Sequence, residues 1–390
     1  MAAPITVPLF DLNYGPEETE AALRVLQSKW LTQGDETTAF EKEFAEYLGV
    51  NHAVAITNCT AALHLACLAA GAGPGDEVIT SALTFAASAN AIRYTGATPI
   101  FADVKSFDDW TLDPDDIERK ITPRTKAILV VHYAGFGCDM ERIQAIAQKN
   151  KLKIIEDCAH SVGASRGPKK LGSEGDFSCF SFFSNKNLST GEGGMICTND
   201  AEAAAQIRLW RSHGMTHSTL DRHRGHAYTY DVVTLGYNYR IDEIRSALGR
   251  AQLGKLDVAN ARRRELAALY KELFAGFDGL QIPFCGAEFC VPTSDPNYHI
   301  FPVLLGNGID RPSLMAALRE RGIQSSVHYR PVHTFSAFRE AYPGVSLPLT
   351  EQIGLRVLTL PIYPAMSDEQ VRVVVENLED IKDCKDAKDK

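Results

Sequence analysis

Along the chain, apolar positions alternate between helical spacing and short continuous runs. From Pro16 to Trp30 (PEETEAALRVLQSKW) a proline and acids lead, and Ala22, Leu23 and Leu26 recur at helical spacing, which predicts a helix. Leu31-Thr32-Gln33-Gly34 ends it. Asn58-Cys59-Thr60 opens a second helix, Ala61 to Ala70, closed by Gly71-Ala72-Gly73-Pro74-Gly75. β-rich runs follow at Glu77 to Thr80, Thr98 to Val104, Ala127 to His132, Lys153 to Glu156 and Phe177 to Phe182. Helical patterns lie between most of them, as at Ala86 to Tyr94 and Asp139 to Lys149. Gly194 to Thr198 reads as one more strand and Glu202 to His213 as one more helix. Strands alternating with helices predict βαβ units: an α/β fold with a mostly parallel central sheet and helices on both faces.

The span from His213 to Leu235 is polar, rich in His, Arg and Tyr, and without clear periodicity. A long irregular loop of this kind usually serves function or an oligomer contact. Ile241, Ile244 and Leu248 begin a long amphipathic helix that continues towards Tyr270. A composition change from Phe277 to Pro296 marks a smaller C-terminal α+β domain, so residues 1–255 are expected to form the large domain and 256–390 the small one. In the latter, strands are expected at His299 to Leu305 and Gln324 to Tyr329, flanking a helix from Arg311 to Arg321. Ser367-Asp368-Glu369-Gln370 has capping-box spacing and starts the last helix.

Composition narrows the classes. The 390 residues are 45% hydrophobic and 23% charged, ordinary for a soluble globular chain long enough for a large and a small domain. A net charge of −9 and a pI near 5.7 provide no global basic field for nucleic acid or an anionic membrane, so any phosphate must be held by local groups. Nine scattered cysteines, with no CxxC pair and an odd count, argue against a disulfide framework. Met1-Ala2-Ala3-Pro4 precedes no signal-like apolar core, and no apolar run could span a bilayer, so a cytoplasmic location is expected.

Candidate chemistry gathers around one lysine. Phe180-Ser181-Phe182-Phe183-Ser184-Asn185-Lys186-Asn187 leads into Leu188-Ser189-Thr190-Gly191-Glu192-Gly193-Gly194, which sets Lys186 among polar and glycine residues after an aromatic strand. A lysine held there, away from bulk water, can lose its proton near neutral pH and serve as the nucleophile of a Schiff-base enzyme; a surface lysine in a glycine turn would look the same. Asp157 falls at the end of the run Lys153 to Glu156, where a carboxylate can hold a protonated pyridine nitrogen or simply cap the next helix. Asn58-Cys59-Thr60-Ala61 is either a phosphate-binding helix N-terminus or an ordinary cap. Phe85 could stack on a heterocycle or belong to the core, and Gly236-Tyr237-Asn238-Tyr239-Arg240 is a turn suited to an anion. Together these features describe a pyridoxal 5′-phosphate (PLP) site. His213, His217, His223 and His226 fit no zinc spacing, and no metal is expected.

From Pro16 to the last helix the chain resembles the DegT/DnrJ/EryC1/StrS family of fold-type I PLP-dependent aminotransferases acting on sugar nucleotides. The motifs that carry the resemblance are Trp30-Leu31-Thr32-Gln33-Gly34, Asn58-Cys59-Thr60-Ala61-Ala62-Leu63, Glu156-Asp157-Cys158-Ala159-His160 and Ser181 through Lys186-Asn187 to Gly194. Gly236 to Arg240 and His328-Tyr329-Arg330-Pro331-Val332-His333 add two more. The resemblance implies that Lys186 carries the cofactor and shuttles the substrate proton. It further implies that Asp157 pairs with the pyridine nitrogen, His160 hydrogen-bonds near the ring hydroxyl, Cys59, Thr60 and Ser181 bind phosphate, and Phe85 stacks on the ring. Asn238 would reach the cofactor of the neighbouring subunit, making the enzyme a homodimer with shared sites. Asn58-Cys59-Thr60 stands where many members have Ser-Gly-Thr, with little consequence expected for contacts that are mainly backbone. Dehydratase relatives carry histidine at the lysine position, so Lys186 argues for transamination.

Thr190-Gly191-Glu192-Gly193-Gly194-Met195 looks like members that aminate a 4-keto sugar, with L-glutamate or L-glutamine as donor. Trp30, Thr32, Arg240, His328, Tyr329 and Arg330 are the candidate substrate contacts. A 3-keto sugar or a cyclitol ketone would share every motif, and a non-enzymatic PLP-binding regulator is the alternative of a different class, although no DNA-binding module accompanies this domain.

Overall fold

A computed structural model describes residues 4–217, 219–225, 228–286 and 294–386. The first half runs α1 (Pro16–Ser28), α2 (Asp35–Leu48), β1 (His52–Ile56), α3 (Cys59–Ala69), β2 (Glu77–Ser81), α4 (Ala86–Tyr94), β3 (Thr98–Ala102), α5 (Pro114–Lys120), β4 (Thr125–Val131), α6 (Met140–Asn150) and β5 (Lys153–Asp157). A two-stranded ribbon of β6 (Ser165–Arg166) and β7 (Lys169–Lys170) precedes β8 (Phe177–Ser181), β9 (Gly194–Thr198), α7 (Ala201–Arg211), α8 (Thr219–His223) and the long α9 (Glu243–Leu273). The C-terminal part holds β10 (Leu280–Gln281), β11 (Phe301–Leu305), α10 (Arg311–Glu320), α11 (Ser336–Ala341), α12 (Pro348–Arg356), β12 (Val357–Leu360) and α13 (Asp368–Asp386).

Among the described residues the central sheet has seven strands in the order β1-β9-β8-β5-β4-β2-β3. β8, β5, β4, β2 and β3 pair in parallel, and β9 alone is reversed between β1 and β8. Alternate side chains of a strand face opposite sides, and the two helical layers use that alternation. Ala127, Leu129 and Val131 of β4 pack with α3 residues such as Leu63 and Leu65, while Ile128 and Val130 pack with Ile143 and Ile146 of α6. In β8, Phe177 and Cys179 face α3, whereas Phe180 joins Phe40 and Phe44 of α2. β10, β11 and β12 form a second, antiparallel sheet whose core is continuous with Trp110 and Tyr133 of the first part.

Several expectations need correction. α1 stops at Ser28, short of Trp30, and buries Glu18, Ala21 and Val25; Leu23 and Leu26 are 49% and 51% exposed. α2 and β1 were not predicted, and the segment from Gln324 to Tyr329 is no strand. It makes one isolated bridge, Ser326 to Thr359, with Ile323 just before it bridging to Val7, and β12 takes the place beside β11. The loop after His213 contains α8 and is folded back by bridges between Met215 and Val232 and between Ser212 and Asn238. α9 runs unbroken from Glu243 to Leu273, past residues 255 and 256. The capping box at Ser367 is present: Gln370 N–H donates to Ser367 Oγ (3.1 Å) and Ser367 N–H to Gln370 Oε1 (3.0 Å). No helix of the described residues is long and apolar enough to cross a membrane.

Candidate active site

A parallel sheet delivers the carboxyl ends of its strands to one edge, and there the buried titratable groups collect. β5 ends on Asp157, which is 4% exposed. Its Oδ2 accepts a hydrogen bond from the Ser88 hydroxyl at 2.7 Å and its Oδ1 from the Ala159 N–H at 3.1 Å. Burial pushes this carboxyl above the ordinary aspartate value, and the Ser88 and Ala159 bonds with the positive charge of Lys186 oppose that rise. A cation placed against Asp157 would restore the balance, which is what a protonated pyridine nitrogen offers.

β8 ends on Ser181, and the chain then folds into a compact loop. The Phe182 N–H donates to Gly193 O and the Thr190 N–H to Phe182 O, both at 2.9 Å, while the Lys186 N–H closes a turn on Phe183 O at 2.8 Å. Gly191, at φ +82°, makes the return that a side chain would strain. Lys186 is partly buried. Burial pushes its ammonium down to about 8, against the opposing pull of Cys59 and Asp157. Its Nζ lies 3.2 Å from His299 Nε2.

Across from that loop is the first turn of α3. Asn58 caps it by accepting the Ala61 N–H at 2.8 Å, and the N–H groups of Cys59 and Thr60 precede any intrahelical acceptor. Ser181 pairs with Gly194 in the β8–β9 ladder, and a Cβ on Gly194 would come within 2.7 Å of the Cys59 nitrogen. Glycine therefore lets the helix N-terminus close on the strand ends, forming a cradle for an anion out of backbone donors and the Ser181 and Thr60 hydroxyls. Burial and the charge of Asp157 hold the Cys59 thiol well above its ordinary value, so it stays protonated.

His160 follows Asp157 by three residues. Its Nδ1 accepts the Ala134 N–H at 3.3 Å, so Nε2 carries the proton and donates to the Tyr329 hydroxyl at 2.8 Å. Tyr329 in turn lies 6.2 Å from the ring of Phe85, which is 62% exposed at the start of α4. His328 bonds Thr359 Oγ1 at 3.0 Å, and burial with the nearby Lys186 pushes it down to about 4. The same two causes, in the same order, hold His160 and His299 well below the ordinary histidine value. An amine nucleophile, a strand-end carboxylate, an anion cradle and an exposed flat ring on one edge form a donor set that fits PLP.

Cys59, Asp157, His160, Ser181, Lys186, His328 and Tyr329 thus come together, with Thr60 and Phe85 beside them. Other candidates stand apart. Trp30 follows α1, donates its indole N–H to Gln33 O at 3.4 Å and packs 4.6 Å from the ring of His223. Thr32 is exposed, and Asn238 is exposed with only a backbone bridge to Ser212. Arg240 is partly buried and bridges to Ile56, two residues before Asn58. Arg330 is engaged within its own loop, donating to Thr334 Oγ1 (3.0 Å) and Thr334 O (2.8 Å) and covering the ring of Phe335. Ser88 and His299 were not anticipated. Ser88 was accessible in principle, one helical turn beyond Phe85; nothing in the sequence pointed to His299.

Three other features stand outside this donor set, although His132, whose N–H donates to Asp157 O at 3.2 Å, borders it. His132, Glu156 and Cys158 offer ligand atoms within 4.8 Å of one another. However, the Cys138 N–H donates to His132 Nδ1 (3.2 Å), so Nε2 carries the proton and donates it to Glu156 Oε2 (2.8 Å), which also accepts the Gly172 N–H. The group is a hydrogen-bonded tie between β4, β5 and the 172–175 loop. His213, His217 and His223 are exposed, and His226 lies outside the described residues. A hollow of about 500 Å³ opens near Lys153 and Phe177, at the opposite strand ends.

Comparison with known proteins gives this geometry a family. A family model described as the DegT/DnrJ/EryC1/StrS aminotransferase family matches residues 13–379. The spore coat polysaccharide biosynthesis protein SpsC of Bacillus subtilis is 40% identical over 385 residues, spanning 97% of this chain and 96% of that one. Among solved structures, Helicobacter pylori PseC, an aminotransferase involved in the biosynthesis of pseudoaminic acid, superposes with a TM-score of 0.87 at 30% identity, covering 97% and 99% of the two chains. Streptococcus pneumoniae Spr1654 in its PLP form matches with a TM-score of 0.87 at 27% identity over 98% and 99%. The chain belongs to the DegT/DnrJ/EryC1/StrS aminotransferase family, and it is an aminotransferase.

Proposed function

We propose that this aminotransferase uses PLP to move an amino group from L-glutamate, or L-glutamine, to the 4-keto group of a nucleotide-linked 6-deoxy sugar. The observation that carries the reading is Lys186, an amine pushed down to about 8 at the carboxyl edge of the sheet, facing the buried Asp157 and the N-terminus of α3. In this reading the Cys59 and Thr60 N–H groups and Ser181 hold the phosphate, Phe85 covers the ring, His160 lies near its hydroxyl, and Asp157 keeps its nitrogen protonated. Bound there, the cofactor supplies the carbonyl that takes the amino group and an electron sink for the substrate carbon. Lys186 carries the proton at Nζ. With a value near 8, roughly a tenth of such amines are unprotonated at pH 7, against roughly one in three thousand for an ordinary lysine.

A sugar acceptor is supported by the polysaccharide role of SpsC and the pseudoaminic acid role of PseC. Arg240 suits the donor carboxylate better than Arg330: its Nη1 is buried without a partner among the described residues, whereas Arg330 is already engaged by Thr334. Incubating the PLP-loaded protein with L-glutamate or L-glutamine and a panel of 4-keto and 3-keto nucleotide sugars and a cyclitol ketone tests the reading. Amination of a 4-keto sugar is expected; turnover confined to a 3-keto sugar or the cyclitol would overturn the 4-keto assignment.

A further inference from the structure

His299 precedes β11 and reaches the site from the far side of Lys186. Its hydrogen bonds fix its tautomer. The Asn187 amide nitrogen donates to Asn260 Oδ1 (2.8 Å) and to Asn297 O (3.0 Å), so its Oδ1 is the face turned to His299. That oxygen lies 3.0 Å from His299 Nδ1 and can only accept, which places the imidazole proton on Nδ1. Nε2 therefore presents a lone pair, and it faces Lys186 Nζ at 3.2 Å. The support behind it is rigid: Asn260 and Asn297 both donate to Val162 O, at 3.1 Å and 2.9 Å, and His299 N–H donates to Ala134 O.

Charged and titratable groups face His299 from every side. Lys186 comes from the loop after β8, His160 from the loop after β5 with ring centroids 4.5 Å apart, and His328 from the segment before α11. Arg263 of α9 donates to the carbonyl oxygens of Tyr298 and His299. The nearest carboxylate of the site, Asp157, is directed to Ser88 and Ala159. His299 thus sits among cations and in a dry environment, which favours its neutral form.

We propose that His299 is a positioning residue that accepts a hydrogen bond at Nε2 from the free amine of Lys186, with Asn187, Asn260 and Asn297 locking the imidazole in that role. An acceptor in a dry pocket favours the ammonium over the amine, so His299 moderates the loss of the lysine proton while aiming the nitrogen. This inference rests on the reading of Lys186 as the reactive amine, but its test needs neither cofactor nor substrate.

In the full chain freed of PLP, trace labelling with acetic anhydride across pH 6–11, read by peptide mass spectrometry, gives the titration midpoint of Lys186. In the unsubstituted chain a midpoint near 8 is expected. His299→Leu, similar in volume and without an acceptor, should lower it by about one pH unit. His299→Gln, which returns a carbonyl oxygen to the reach of Nε2, should bring it back towards the starting value. A midpoint in His299→Leu that is unchanged or raised, in a chain of native circular dichroism, would overturn the proposal, as would equal midpoints in the two variants. Should the leucine variant not fold, Asn187→Ala, which removes the oxygen that holds the imidazole proton on Nδ1, should lower the Lys186 midpoint, and a midpoint left unchanged in that variant overturns the proposal as well. Loss of PLP attachment to Lys186 in the loaded enzyme would instead sink the functional reading.

Discussion

A lysine whose ammonium is pushed down to about 8 from 10.5 binds fewer protons in the folded chain than in the unfolded one throughout that interval. Stability rises with pH wherever the unfolded state holds more protons, so the charged Lys186 destabilises the PLP-free protein below pH 8 and ceases to do so as the pH climbs towards 10.5. Two and a half units correspond to roughly 3 kcal/mol, and partial exposure of the side chain reduces the effect to about 2 kcal/mol. Lys186→Met should therefore raise the melting temperature of the PLP-free chain at pH 7 by several degrees, with the gap narrowing above pH 8; a gap independent of pH would contradict the titration. The proposed role of Asp157 bears on the reaction itself. If Asp157 faces the pyridine nitrogen as proposed, Asp157→Asn removes the opposing charge, and stopped-flow spectra of the glutamate half-reaction should show a rate about a hundredfold lower or more. These two residues were legible because each sits inside a short motif at a strand end. Their partners were not: Ser88 meets Asp157 across 69 positions of sequence and His299 meets Lys186 across 113, and such contacts exist only once the sheet has formed.

The missed elements have physical causes. The N-cap position of α2 is Gly34, which has no side chain to announce a helix start, and its cap comes from Glu243 at the start of α9. Glu243 Oε1 accepts the Gly34 N–H (2.7 Å), the Thr37 N–H (2.9 Å) and the Thr37 hydroxyl (2.6 Å), and Oε2 accepts the Glu36 N–H (2.7 Å). A cap supplied from more than two hundred positions away leaves no local signature. Glu243→Ala strands these buried donors and should lower the unfolding free energy in urea by about 3 kcal/mol, with the first turn of α2 losing hydrogen-exchange protection first. An effect below about 1 kcal/mol would mean that water or a rearranged loop satisfies them. By contrast α3, α6 and β4 were readable because caps at Asn58 and Asp139 and alternating apolar residues are local signals. For α1 the helix was legible and its buried face was not, because Ala21 and Val25 do the packing while the larger Leu23 and Leu26 remain exposed.

Those leucines belong to a pattern that spans the molecule. Leu23, Leu26, Leu31, Val232, Val233 and Leu235 are all exposed in the single chain, and a partner subunit that covered them would remove that apolar surface from water. With Asn238 exposed at the end of the same loop, it supports the proposal of a homodimer in which each subunit completes the other's site. Mixing inactive Lys186→Ala with an inactive Asn238→Ala variant under conditions of subunit exchange should then restore activity, up to about one quarter of the sites in a statistical 1:1 mixture. No recovery would place Asn238 within its own subunit's chemistry or outside the site, and a monomer by light scattering would exclude sharing altogether. The central claim, that Lys186 is the cofactor-bearing amine of an aminotransferase, has a more direct test. Borohydride reduction of the PLP-loaded protein followed by peptide mapping should place the pyridoxyl group on Lys186, within the peptide that follows β8; a pyridoxyl group on any other lysine would contradict the account.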